Sequence, residues 1–476
     1  MNRLKMFVEN FVIFGLGGMI SQLVPIIMIP IVTRMLPDMG YYGISDLSNT
    51  LVSFGGAIGV MGMYDAMYRM FFEKETDEDY KKQVCSTALV FTVGTSFLVS
   101  LTMVLGRRWI ARIFFGDSAY SGLIFIIALS TFAGGINSII AAPTRMENKR
   151  AIYILANSLS PLIAYTISTV LILRNNYVTA LPLGAAISGV LMGILFFILN
   201  HKWFVPKKFN KGLLGQLLRI SIPLFPNFLI YWIFNSSDRL MITNLMSIKD
   251  AGIYSVGAKL GHVSQLIYMA FAGGWQFFAF STMKEKDQVQ TNSLVFEYLG
   301  VISYTACCVM CILAYPLFHL LFEGDTVSGY IVSPYLFLAP LLQMLFQVAS
   351  NQFLVIKKTW PILLILGQGA VLNVLLNGIL IPRIGIEGAA IATLLGYAWS
   401  DLICIVVLKK MGLMAISRRF TWTAILLFVY MIGWRLLLKR TTGMSLAGVL
   451  LFFMYVVWSY KKEVGFLFGL GWKRKK

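Results

Sequence analysis

Lys259 is an ammonium group set inside an apolar stretch, about nine residues or roughly 13 Å from its outer end, too deep for the side chain to reach water comfortably. A cation held in hydrocarbon needs a compensating anion, which is either a carboxylate of the chain, with Asp46 or Asp238 in view, or a phosphate on a substrate. Other residues with chemistry at regular spacing surround it in the sequence. Ser255, Lys259 and His262 fall on one helical face, and so do Asp46, Asn49 and Ser53 on an earlier stretch. Asp65 and Arg69 are spaced as a local helical pair. Gln343, Gln347 and Asn351 recur at four-residue steps, followed by Gln368, Asn373 and Asn377. Amides both donate and accept hydrogen bonds, which suits sugar hydroxyls as well as contacts between helices. Arg34 and Arg239 each close an apolar stretch that carries two prolines, Pro25 and Pro30 in one, Pro223 and Pro226 in the other. Proline bends a helix and frees a carbonyl, as suits a moving interface or a simple kink.

Catalysis has little to work with. There is no phosphate-binding glycine loop, no HExxH and no nucleophile elbow, and His201, His262 and His319 lie far apart. Cys85, Cys307, Cys308, Cys311 and Cys404 form neither a zinc pattern nor a disulfide framework, and they read as buried apolar side chains. The expectation is a protein that is not an enzyme, with no cofactor and no metal site.

These residues sit in a chain of 476, of which 58% are hydrophobic and 13% charged, against about 25% charged in soluble domains. Such a chain covers itself with hydrocarbon instead of water. The net charge of +19 comes from short basic clusters between apolar runs, which argues against nucleic acid. At about 20 apolar residues per crossing, the candidate spans are 11–34, 42–70, 84–105, 119–141, 151–173, 178–200, 214–237, 250–280, 294–315, 330–352, 361–381, 386–408, 421–438 and 444–460. The first follows Arg3 and Lys5, is too long for a signal-peptide core, and is read as a retained span. Lys and Arg concentrate in alternate loops, which places both termini in the cytoplasm. Arg107, Arg108 and Arg112, and then Arg435, Lys439 and Arg440, depart from that alternation, as basic residues snorkelling from helix ends would.

The chain also repeats. Asp38-Met39-Gly40-Tyr41-Tyr42-Gly43-Ile44 recurs as Asp250-Ala251-Gly252-Ile253-Tyr254-Ser255-Val256, Lys149-Arg150 as Lys357-Lys358, and Leu183-Gly184-Ala185-Ala186-Ile187 as Glu387-Gly388-Ala389-Ala390-Ile391. Six spans per copy is an even number, so the copies insert the same way round. The expected architecture is an all-α polytopic membrane protein of about 14 transmembrane helices. Two six-helix lobes, 1–205 and 206–412, are related by a parallel repeat, and 413–476 adds two helices and a basic cytoplasmic tail.

Ser237-Asp238-Arg239-Leu240-Met241-Ile242, Ala251-Gly252-Ile253-Tyr254-Ser255 with Lys259-Leu260, and Ile381-Pro382 followed by Gly385-Ile386-Glu387-Gly388-Ala389-Ala390-Ile391-Ala392-Thr393 resemble the multidrug/oligosaccharidyl-lipid/polysaccharide exporter superfamily, within it the Wzx-type polysaccharide flippases. The resemblance implies a flippase in the bacterial cytoplasmic membrane that moves an undecaprenyl-pyrophosphate-linked oligosaccharide by alternating access, for cell-surface polysaccharide synthesis. Membrane lipids, glycosyltransferases or a polysaccharide polymerase would be its partners. It also implies pyrophosphate-binding cations, assigned first to Lys259 and Arg34 and then to Arg239 and Arg69. Asp46, Asn49, His262, Gln343, Gln347 and Asn351 complete the expected substrate site, and Asp46, Asp65 and Asp238 are the ion-coupling candidates. Two relatives of the same superfamily remain open: a lipid II flippase, whose first lobe is richer in arginine, and a multidrug and toxin extruder, for which Asp46, Asp65 and Asp401 are the available acids.

Overall fold

The computed structural model describes residues 24–463 apart from Glu75, 282–284, Lys286, Thr359, 439–441 and Lys462. Arg3, Lys5, the start of the first expected span, Lys439, Arg440 and most of the basic tail lie outside these residues. All regular structure among the described residues is helical: α1 (Val24–Met35), α2 (Met39–Val60), α3 (Met63–Phe71), α4 (Glu78–Leu105), α5 (Arg107–Phe115), α6 (Leu123–Ile140), α7 (Ala142–Met146), α8 (Arg150–Leu173), α9 (Ala180–Asn200), α10 (Lys211–Leu245), α11 (Ile248–Gly261), α12 (Ser264–Ser281), α13 (Gln288–Leu321), α14 (Ser333–Val355), α15 (Trp360–Ile384), α16 (Ile386–Lys410), α17 (Arg418–Gly433) and α18 (Thr442–Ser459).

The helices start where short polar side chains can take up free backbone amides. The Asp38 carboxylate accepts from the Gly40 N–H, that of Asp77 from Tyr80, the Asn210 amide oxygen from Gly212 and Leu213, and the Ser417 hydroxyl from Phe420. Among the described residues ten helices are long and apolar enough to cross a membrane, and α1 and α18 are shorter apolar helices. The protein is therefore a multi-pass membrane protein. Besides α1 and α18, the expected second and eighth spans also differ and are not single helices. Each is helical but interrupted, the second at Met61 and Gly62, both with positive φ, and the eighth between Gly261 and Ser264. Arg107, Arg108 and Arg112 are not stray charges at a span end. They belong to α5, a short helix that buries Ala111, Phe114 and Phe115 and leaves Trp109 exposed.

The chain forms two compact units, Met1–Val256 with Val374–Ala389 and Gly257–Asn373 with Ala390–Lys476. In the first, one apolar core gathers Met63, Met67, Met70, Cys85, Phe196 and Trp203, and another Leu47, Leu51, Phe115, Ile124 and Ile127. Glycines let its helices touch backbone to backbone: a Cβ on Gly184 of α9 would lie 2.5 Å from the Ala164 carbonyl oxygen of α8. In the second, α14 is enclosed along almost its whole length, from Ser333 to Phe353.

Candidate functional site

α2 and α10 lie side by side, and Asp46 and Ser53 of the polar face read from the sequence meet α10. Two rungs join them. Asp46 meets Arg239, Nε to Oδ2 at 2.5 Å, and two turns along, the Trp232 indole N–H donates to the Thr50 carbonyl and the Ser53 hydroxyl, each at 3.2 Å. The second rung is backed by ring packing of Trp232 on Phe54 at 4.6 Å.

Around the first rung the structure builds a network from three helices. Arg239 also faces Asp238, Nη1 to Oδ1 at 3.8 Å, and donates to the Asn235 carbonyl. From α11 the Ser255 hydroxyl donates to Asp46 Oδ2 at 2.6 Å, and the Tyr254 hydroxyl donates to Asp238. Asp46, Asp238, Arg239, Tyr254 and Ser255 are all buried. Taken in their ionised forms, two carboxylates surround one guanidinium. A buried charge cluster is costly unless each member is paired and hydrogen-bonded, and the hydroxyls of Tyr254 and Ser255 supply those bonds.

Within the first unit the structure thus brings Asp46, Asp238 and Arg239 together. Asn49, one turn beyond Asp46, is exposed and with Ser48 and Ser130 lines a cavity of about 120 Å³ between α2, α6 and α9. Arg34 is exposed at the end of α1, and Arg69 and Asp65 are exposed on α3. The expected Asp65–Arg69 pair does not form. Asp65 instead feels the charge of Arg145, which donates to the Tyr64 hydroxyl at 3.0 Å, because the chain after α6 carries Arg145 back to α3. Near the same end, Glu147 meets Lys149 at 2.6 Å and Lys202 at 2.5 Å and accepts from the Trp203 indole at 3.1 Å. Partial burial alone would raise the Glu147 carboxyl, but the two ammonium groups hold it below the usual carboxylate range.

In the second unit Lys259 is exposed near the end of α11, and His262 is half-buried in the turn before α12, its backbone N–H on the Ala258 carbonyl at 2.7 Å. Gln343 and Gln347 are half-buried on α14 and Asn351 is buried. Gln347 Oε1 and Asn351 Nδ2 are enclosed without a hydrogen-bond partner, as are Gln352 Nε2 on α14 and Asn292 Nδ2 on α13. Gln288 donates to Gln352 Oε1 at 3.2 Å. Reading the sequence missed Gln288, Asn292 and Gln352 because they fall off the four-residue stripe, and it missed Tyr254 as a site residue although Tyr254 lies inside the repeated motif. Among the described residues no group of His, Cys, Asp and Glu could hold a metal ion.

The profile of a family described as "Polysaccharide biosynthesis protein" matches residues 31–323. A Haemophilus influenzae protein described as "Lsg locus putative protein 1" is 24% identical over 295 residues, covering 60% of this chain and 69% of that protein. Among solved structures, the lipid II flippase MurJ in an inward closed conformation aligns with a TM-score of 0.72 at 14% identity, over 95% of this chain and 100% of that one. An inward-facing multidrug resistance MATE family transporter aligns with a TM-score of 0.65 at 13% identity, over 83% of this chain and 98% of that one. The fold is that of these transporters.

Proposed function

The chain belongs to the polysaccharide biosynthesis protein family, and from that premise we propose that it is a flippase moving an undecaprenyl-pyrophosphate-linked oligosaccharide across the bacterial cytoplasmic membrane, with both termini inside. The observation that carries this reading is the network of Asp46, Asp238 and Arg239. Charge buried in a polytopic membrane protein is expensive and marks a transport pathway more often than a structural need. In the proposed mechanism Lys259 and Arg34 engage the pyrophosphate, while Gln343, Gln347, Asn351 and Asn49 present amides to sugar hydroxyls. Arg69 and His262 extend that surface. The network then acts as the two-state element. With Arg239 held by Asp46 and Asp238 the chain is in one state, and a phosphate or a proton competing for those groups biases the other, in which the two six-helix lobes have changed access.

The test is surface glycan restored to a flippase-deficient strain at matched protein level, alongside the lipid-linked precursor that builds up inside. Lys259→Arg keeps partial transport because the cation survives, whereas Lys259→Ala abolishes it with the protein still inserted. Full activity of Lys259→Ala removes the phosphate role. Unchanged precursor levels in the deletion strain remove the flippase reading itself.

A further inference from the structure

In the second unit, α13, α14, α16 and α17 enclose a cavity of about 320 Å³ whose walls are apolar. Leu338 and Leu342 come from α14 and Phe420 from α17. Leu402 and Phe428, 52% and 57% exposed, flank its opening on the outer surface of the helices. One charged side chain lines it, Asp401 of α16. That residue is only 6% exposed, and both of its carboxyl oxygens are enclosed with no hydrogen-bond partner. No other carboxylate among the described residues has both oxygens in this state.

The surroundings decide what can neutralise it. α13 contributes Tyr304 to the lining, α14 no titratable group, and α17 only the Thr421 hydroxyl. On α16 itself the nearest titratable group is Cys404, one turn away and buried. Arg419, next to Phe420 on α17, is committed elsewhere, to Glu297 at 2.8 Å and Glu463 at 2.7 Å. Among the described residues no cation reaches the carboxyl. A bound metal ion would need about six oxygen ligands, and the lining adds only two hydroxyls. An ionised, unpaired carboxylate enclosed by leucine and phenylalanine is costly, whereas the neutral acid is tolerated.

We infer that Asp401 is a proton-binding site, distinct from the Asp46–Arg239–Asp238 network, which holds one proton as the carboxylic acid while the cavity is dry. The carboxylate takes the proton from hydronium, leaving water, and returns it by the reverse step when water enters the cavity. The ion-coupling role expected of Asp46 and Asp238 then has a competitor that needs no arginine to be displaced, since no described residue holds Asp401 ionised.

The experiment is carbodiimide labelling of the full chain in membrane vesicles. N,N′-dicyclohexylcarbodiimide partitions into hydrocarbon and modifies carboxylic acids in their protonated form, so the adduct reports the proton. Mass spectrometry of the modified chain is expected to place an adduct on Asp401 at neutral pH, with yield falling as the pH is raised, and none on Asp46 or Asp238. Asp401→Asn, which imitates the neutral acid, abolishes that adduct and leaves the detergent-solubilised protein with an unchanged melting temperature. Absence of the adduct from Asp401 at neutral and mildly acidic pH overturns the inference, whatever the variant does. A destabilised Asp401→Asn also overturns it, because that would reveal a partner for the charged form. Neither readout requires a transported substrate, so this inference and the flippase reading fail separately.

Discussion

Gly43 of α2 and Gly252 of α11 meet backbone to backbone, and the contact is reciprocal. A Cβ on Gly43 would lie 2.2 Å from the Ile248 carbonyl oxygen, and a Cβ on Gly252 would lie 2.2 Å from that of Met39. The two helices carry the first pair of matched motifs, which are therefore in direct contact. In the sequence match Gly252 corresponds to Gly40, yet it is Gly43 that it touches. The close approach is also what allows Ser255 to reach Asp46.

Gly252→Ala therefore cannot be absorbed by a side-chain shift, because the obstacle is backbone. The helices must separate, at a cost of about 1–3 kcal/mol, the usual range for overpacking. A lower melting temperature of the detergent-solubilised protein is expected. A larger loss still is expected for Gly252→Val, and no loss in either variant would show that the contact is loose.

Removing Arg239 strands two buried carboxylates. Arg239→Ala is expected to lose about 3–5 kcal/mol, the range for breaking one side of a buried ion pair. Neutralising Asp46 and Asp238 to Asn in the same chain should restore most of it, since the uncompensated charge is then gone. Folded yield and melting temperature across the cycle measure the coupling. Additive losses would show that the three residues do not act as one network.

At the Glu147 cluster the sign of the pH effect follows from its two ammonium neighbours. The folded carboxyl is held below its unfolded value, so the group contributes stability above the unfolded value of about 4.3, and that contribution disappears as pH falls through the folded value. Melting temperatures of wild type and Glu147→Gln should differ near neutral pH and converge in acid. A gap that widens in acid would reverse the assignment.

Much of this protein was legible in the residues alone. Hydrocarbon leaves a chain few options: helices must satisfy their own backbones, so long apolar runs appear one by one as helices, and α4, α6, α8, α9, α13, α15 and α16 do so close to the expected bounds. The spans that fail the apolar test, α2 and the broken pair α11 and α12, are those rich in polar groups, and α2 and α11 carry the charge network. The polar face of α2 was likewise readable, because helical periodicity decides which side chains share a side. Which partner meets that face was not. The sequence offered Asp46 only Lys259 as a candidate cation. Arg239 engages Asp46 because α2 and α10 pack side by side in the folded chain. The lone carboxyl of Asp401 in its apolar cavity was equally out of reach. A residue's type and spacing are local properties of the chain, whereas burial and the absence of a partner are properties of everything packed around it, and only the tertiary structure decides them.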